Sequence, residues 1–388
     1  MSRTKIKRMY AVSFLFALHI AMGAYINSTF LVSIIREERV GLLYTVASIL
    51  ILLILSKSSG ILKIFGNKRS ILAFLIVNML SLVGLITSKN PLVIGASFVL
   101  FMATNTLVFF CIDIFIEHFG DPSKTGRTRG LQLTLLNLAY MLSPLIAAFF
   151  IARGGYQAVY IVSFIIVILM TLELIFSVRS FRDKKYIRQP FWETYKYLLN
   201  NKNVLSIVLI NFLLQFFYVW MVVYTPIYLH EHMMFSWGQI GIIFTIMLSP
   251  FVLLGLPIGT LIDKYHFNKK TLLYWGFIIL CISTAGLSFI ISNNIIVWAI
   301  VLFATRIGAS IIETTSEIFF FETISEKDTN LLSTFRDMFP IAYIIAPLVA
   351  SIVFFFAPLN QSLFIILGII MITGFYYIHK IRNGKVPN

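Results

Sequence analysis

Long apolar runs recur from one end of the chain to the other, and no other feature limits its fold so tightly. They fall roughly at 9–35, 40–56, 70–88, 91–116, 131–152, 156–178, 204–229, 238–258, 271–292, 295–320, 334–357 and 360–379. A helix needs about 20 mostly apolar residues to cross the hydrocarbon of a bilayer. Within that layer every backbone N–H and C=O must find a partner inside the protein, which favours helices over any open sheet. Twelve such runs predict an all-α membrane protein with twelve transmembrane helices. Composition matters here in one respect: 59% of the residues are apolar and only 12% are charged, too few to cover a water-soluble domain. The first run follows a basic leader, as a secretory signal would, but it is long and lacks a small-residue cleavage site. It is read as a retained span.

Lys and Arg orient these spans. Arg3, Lys5, Lys7 and Arg8 precede the first run, and most other basic residues fall in the even-to-odd connections and the C-terminus, with seven between Arg179 and Lys202. The opposite side holds only Arg36, Arg39, Lys89 and Arg153. The positive-inside rule then makes both termini cytoplasmic, in what is expected to be a bacterial inner (plasma) membrane. The formal net charge of +15 describes a cytoplasmic rim facing the anionic lipid bilayer, not a nucleic-acid surface. Cys111 and Cys281 lie inside runs, without metal-ligand spacing, and read as packing residues. No cofactor or metal is expected, and the chain is expected to be a monomer.

The chain also reads as two copies. "VGLLYTV" at 40–46 answers "IGIIFTI" at 240–246, "NKRSIL" at 67–72 answers "NKKTLL" at 268–273, and "LAYMLSPLIA" at 138–147 answers "IAYIIAPLVA" at 341–350. Six spans per copy return the second copy to the same side, so the repeats are parallel and related by an axis along the membrane normal. The expected organisation is an N-terminal six-helix bundle over 1–178, a cytoplasmic linker over 179–203 and a C-terminal six-helix bundle over 204–388, around a central cavity. The linker reads as a basic interfacial helix strapping the bundles together.

Charge gathers between spans eight and nine in "GTLIDKYHFNKKTLL", Gly259 to Leu273. Glycine permits a tight turn, and an aspartate at a helix end can accept from the free N–H groups of a helix start. Lys264, Lys269 and Lys270 can pair with acids at the cytoplasmic ends of spans four and ten: Asp113, Glu117, Glu317 and Glu322. The stretch resembles the signature loop of the major facilitator superfamily, roughly G-x-L-x-D-[RK]-x-G-[RK]-[RK]. Gly259, Leu261, Asp263 and Lys264 fit in register, while His266-Phe267 stands where one glycine is usual. The first-copy loop, "SGILKIFGNKRSIL" at 59–72, departs further: Ser59 replaces the glycine and Lys63 the aspartate, while Gly66 and Lys68-Arg69 remain. The resemblance covers essentially the whole chain. It implies two six-helix halves that rock about a central cavity, with Gly259, Asp263, Lys264, Lys269, Lys270, Asp113 and Glu317 as a cytoplasmic gate. Plain anchoring of the loops at the interface is the alternative. Since Lys63 has replaced the acid, a gate of this kind would depend on the second copy.

A charge near mid-bilayer costs on the order of 2.5–3.5 kcal/mol, so each one asks for a function. Arg306 lies deep in span ten and shares a face with Ser310, Glu313 and Glu317. The repeat aligns "MATN" at 102–105 with "FATR" at 303–306, pairing Asn105 with Arg306. The resemblance implies substrate binding at this depth, which makes both substrate-binding candidates. Arginine stays charged and can hold an anion or a carboxylate, whereas Glu313 can exchange a proton. The two are about 10 Å apart along one helix axis, so partners on other spans are expected; an ion pair locking span ten to a neighbour is the alternative. His19, Gly23 and Asn27 share a face of span one, and Asn211, Gln215 and Tyr218 share one of span seven. The resemblance implies that both spans line the cavity, adding Asn27, Gln215 and Tyr218 as substrate contacts, with Trp220 and with Tyr140 of span five. His19 is a second proton-coupling candidate, or else a hydrogen-bonded packing residue. Trp220 and Tyr224 either stack on a substrate or fill the wall. Glu173 is expected to snorkel or to pair with the basic linker.

The "SPLIA" and "APLVA" blocks resemble the glycine–proline signature of span five in the family's antiporters, with Ser143, Ala147, Ala346 and Ala350 at positions usually held by glycine. Small residues allow close helix approach and Pro144 and Pro347 would bend their helices. The expected function is therefore a secondary active transporter of a small organic solute, working by alternating access and proton-coupled export (antiport). A solute with a negative group would suit Arg306. Alternatives are a proton-coupled importer or a facilitator of an organic anion or sugar-like solute and, in a different class, a non-transporting sensor or scaffold of the same fold. The sequence contains no P-loop and no clustered nucleophile, base or metal motif, so no enzyme is expected.

Overall fold

Residues bounding the apolar runs decide where the helices begin. The computed structural model describes residues 2–120, 125–179, 181, 183, 196, 198–323, 329–356 and 362–381; the side chains of Glu117, Asp263 and Glu322 and most of the expected linker helix fall outside this set. The helices are α1 (Ser2–Ala24), α2 (Asn27–Val32), α3 (Glu37–Leu55), α4 (Ser58–Thr87), α5 (Pro91–Phe119), α6 (Thr125–Ser177), α7 (Lys202–Ile227), α8 (Trp237–Leu253), α9 (Gly255–Asp263), α10 (Lys269–Leu287), α11 (Ile295–Thr323), α12 (Thr329–Phe356) and α13 (Ser362–Lys380). Asparagine starts four of them, among them α11, where Asn294 accepts from the Ile296 N–H at 2.8 Å. Asn90 accepts from the Leu92 N–H at 2.9 Å, with Pro91 at the first helical position, where its missing N–H has no cost. Asn268 caps α10 through Lys270 at 2.9 Å, and Asn201 caps α7 through Val204 at 3.3 Å.

Ten stretches among the described residues are long and apolar enough to cross a membrane. One of them, Leu131–Ser177, holds two spans, because the helical course of α6 breaks at Gly154 and at Gly155, whose φ is 64°. The pair α1–α2 forms another, which completes the twelve. Their outer faces are apolar, with Leu80, Ile282 and Leu169 exposed by 64%, 70% and 53%. Such a surface needs lipid to cover it.

Two spans are less continuous than expected. The first breaks between Ala24 and Asn27, and the eighth breaks at Leu254 before continuing as α9. The charged stretch at Gly259 is correspondingly less of a loop. Gly259 to Asp263 form the last turns of α9, leaving only Lys264–Asn268 to connect to α10, with His266 at φ 50°. The reason is apolar: Ile258 and Ile262 bury themselves with Leu272, and that packing carries the helix on through the expected turn.

The chain divides into two compact units, Met1–Arg188 with Ser236–Gly241, and Gln189–Phe235 with Ile242–Asn388. In the first, α1 packs along α6, and α5 packs against α3 and α4. In the second, α10 packs against α11 and α13, while α7 is surrounded by α11, α12 and α13. The α10–α11 crossing is tight. A Cβ on Gly308 would meet the Gly276 carbonyl oxygen and the Leu280 nitrogen at 2.7 Å, so only glycine fits.

The first charged loop has its own solution. Gly66 takes φ 75°, a conformation that favours glycine, and the helix restarts at Asn67. There the Asn67 N–H donates to Asp183 Oδ1 at 2.6 Å, and the Asn67 side chain donates to the Cys111 carbonyl at 3.0 Å. A Cβ on Gly66 would collide with the Asp183 carboxylate. The acid missing at Lys63 is supplied by a residue beyond the sixth span.

Candidate functional site

Each unit carries its own buried polar cluster. In the first, His19 of α1 is fully enclosed. Its Nδ1 lies 2.7 Å from Ser163 Oγ on α6 and its Nε2 lies 3.2 Å from Asn105 Oδ1 on α5. Asn78 of α4 donates to the same Asn105 oxygen at 2.8 Å and to Thr104 Oγ1 at 2.9 Å. Thr104 passes its own proton to the Leu100 carbonyl at 2.7 Å. With Asn105 Oδ1 thus an acceptor, the Nε2 of His19 must carry the proton it shares. The Oδ1 of Asn78 is buried with no hydrogen-bond partner among the described residues. His19 and Asn105, expected as a proton-coupling and a substrate-binding candidate, therefore meet in one network through α1, α4, α5 and α6. Asn27 stands apart from it, accepting from the Tyr160 hydroxyl at 2.9 Å.

The second cluster joins α7 and α11. Packed on several sides, α7 leaves one half-buried stripe that includes Phe212, Gln215, Tyr218 and Val222. Arg306 of α11 is buried, its guanidinium 4.9 Å from the Phe217 ring and 5.8 Å from the Tyr218 ring. Aromatic faces stabilise a cation in such surroundings by electrostatic attraction. The Tyr218 hydroxyl donates to Glu313 Oε2 at 3.1 Å. Tyr218 therefore touches the cation with its face and the carboxylate with its edge, joining two groups of one helix from a second helix. Beside it, Gln215 donates to Asn211 Oδ1 at 3.2 Å, and Asn211 donates to the Phe335 carbonyl at 2.8 Å.

Other expected contacts fall elsewhere. Trp220 is wholly buried in an aromatic ladder, Phe216–Trp220–Tyr224–Phe354, with centroids 5.5, 5.7 and 5.2 Å apart. Tyr140 is half-buried on α6. Glu173 pairs with Arg8 at 3.5 Å. Among the gate candidates, Lys270 donates to the Ile381 carbonyl at 2.7 Å, fastening the start of α10 to the end of α13. Lys269 and Lys264 sit over the Phe319 and Tyr265 rings at 5.5 and 5.7 Å, and Glu317 is half-buried on α11. Asp113 accepts from Gln132 at 2.9 Å within the first unit. No Cβ contact crowds Gly259.

Sequence reasoning missed Asn78, Ser163, Tyr160 and Asp183. Asn78 and Ser163 are polar residues inside apolar runs, and that alone could have flagged them; nothing in the sequence connects Asp183 with Gly66.

The fold agrees with known transporters. A point mutant of the nucleoside transporter NupG superposes with a TM-score of 0.76 at 11% identity, covering 97% of this chain and 100% of that one. The human organic anion transporter MFSD10 (TETRAN) superposes at 0.66 and 13% identity, covering 97% and 99%. No curated protein sequence matches the chain. The model of the Major Facilitator Superfamily does match it, over residues 9–325 and again over 226–387. Matches of that extent identify an integral, multi-pass membrane protein: the chain belongs to the Major Facilitator Superfamily.

Proposed function

We propose that the protein is a secondary transporter of a small organic solute, alternating access by rocking a bundle over 1–178 against one over 204–388, with 179–203 as a cytoplasmic linker and both termini in the cytoplasm. The observation that carries this reading is the Arg306–Tyr218–Glu313 constellation: a cation, a phenol and a carboxylate in apolar surroundings, which a passive scaffold would have no reason to keep. The names of the two superposed proteins point to small organic solutes, one to nucleosides and one to organic anions, and support that class. Glu313 is the proton carrier in this reading, and Arg306 is its permanent counter-charge. The direction we propose is proton-coupled export; the proline-bearing "SPLIA" and "APLVA" blocks support it, since Ser143, Ala147, Ala346 and Ala350 are all buried as close helix approach requires.

Purified protein in liposomes under an imposed pH gradient, screened against nucleosides, organic anions, sugars and amines, tests this. Glu313→Gln is expected to abolish gradient-driven accumulation and to weaken solute exchange at equal pH. Arg306→Ala, which leaves a half-buried carboxylate without its cation, is expected to cut both by about tenfold or more. Movement of no solute under any gradient, or unchanged transport in both variants, overturns the reading.

A further inference from the structure

The orientation of one amide chain says which side of a hydrogen bond the solute must supply. The Phe335 carbonyl can only accept, so the group of Asn211 facing it at 2.8 Å is its NH2. That fixes Asn211 Oδ1 as the acceptor facing Gln215, so Gln215 must point its own NH2 inward, at 3.2 Å, and turn Oε1 away. One turn on, the only proton of the Tyr218 hydroxyl is directed to Glu313 at 3.1 Å, leaving that oxygen able only to accept. Glu313 accepts as well. Gln215, Tyr218 and Glu313 are the half-buried members of the cluster, whereas Arg306, its donor-only member, is 1% exposed beneath the two rings. The accessible part of the site therefore offers a carbonyl, a phenol oxygen and a carboxylate, flanked along α7 by apolar Phe212 and Val222.

We infer that the solute is an apolar organic molecule bearing a primary ammonium, whose N–H donors meet Gln215, Tyr218 and Glu313. The inference rests on the transporter reading above and names the substrate class of the same site. It assigns Gln215 as a specificity-determining residue and gives Arg306 the part of balancing charge instead of meeting the solute.

Three probes of similar length separate the possibilities: 2-phenylethylamine, its N,N,N-trimethyl derivative, which keeps the charge but has no N–H, and 3-phenylpropionate. Calorimetric titration of each into the purified full chain is expected to give the primary amine at least about tenfold tighter binding than either other probe, the value of one charge-assisted hydrogen bond. Gln215→Leu should weaken the amine about fivefold or more and leave the other two unchanged. Glu313→Gln, a second variant of nearly the same shape, should weaken the amine more strongly than Gln215→Leu does, and thermal melting verifies that both variants fold. Equal or tighter binding of the carboxylate or the trimethyl probe overturns the inference, as does indifference of amine binding to both substitutions, or binding of none of the three. The liposome panel stays separate: transport of an anion or a nucleoside without amine binding removes this inference and leaves the transporter reading intact.

Discussion

At Arg306 the guanidinium lies against two aromatic faces, an arrangement that uses the flatness of the group as well as its charge. Lysine keeps the charge and loses the flat stacking surface. Arg306→Lys is expected to fall between wild type and Arg306→Ala, melting lower by an amount equivalent to about 0.5–2 kcal/mol; equal melting of Lys and wild type in a detergent thermal-shift assay would show that stacking contributes nothing. His19 calls for a different substitution. Glutamine can still donate to Asn105 Oδ1, whereas alanine strips partners from both Ser163 and Asn105. His19→Ala should therefore cost about 1–3 kcal/mol of stability and His19→Gln clearly less. These partnerships mark what the sequence could and could not disclose. Helical spacing puts Gln215 with Tyr218, and Arg306 with Glu313, because positions on one helix face follow from the period alone. It cannot say which residue of another helix lies opposite, so Asn78, Ser163 and the Phe335 carbonyl went unread.

Helices were legible wherever an apolar run ended at a cap, as at Asn90, Asn201 and Asn268. The breaks inside runs were not: Ile26 and Leu254, where α1 gives way to α2 and α8 to α9, are apolar residues that do not announce a break. The α10–α11 crossing is the element-level feature most open to test. Gly308→Val pushes a side chain into backbone of α10, at an expected cost of about 1–3 kcal/mol or more through overpacking. Gly286→Val, at a position with nothing within 4 Å of the new carbon, is the control and should melt within a degree or two of wild type. If the two variants melt together, the tight crossing is not what holds these helices.

Across the whole chain, the run count and the order of three repeated blocks were enough to anticipate a twelve-helix membrane protein, because bilayer thickness leaves so few ways to satisfy an apolar backbone. The orientation proposed from charge can be checked directly. With Cys111 and Cys281 replaced, a cysteine at Lys89 should react with an impermeant maleimide added outside intact cells, and one at Lys202 should react only after the membrane is opened; the reverse pattern would invert the topology. What the repeat could not convey is that its two charged loops obtain their carboxylates differently. The second copy has its acid in its own sequence, at Asp263. The first takes one from Asp183, which caps the helix at Asn67 from the far end of the unit. Sensitivity to substitution should differ accordingly: Asp183→Ala, more than a hundred positions away in the chain, would uncap the helix at Asn67 while leaving every residue of the first charged loop in place.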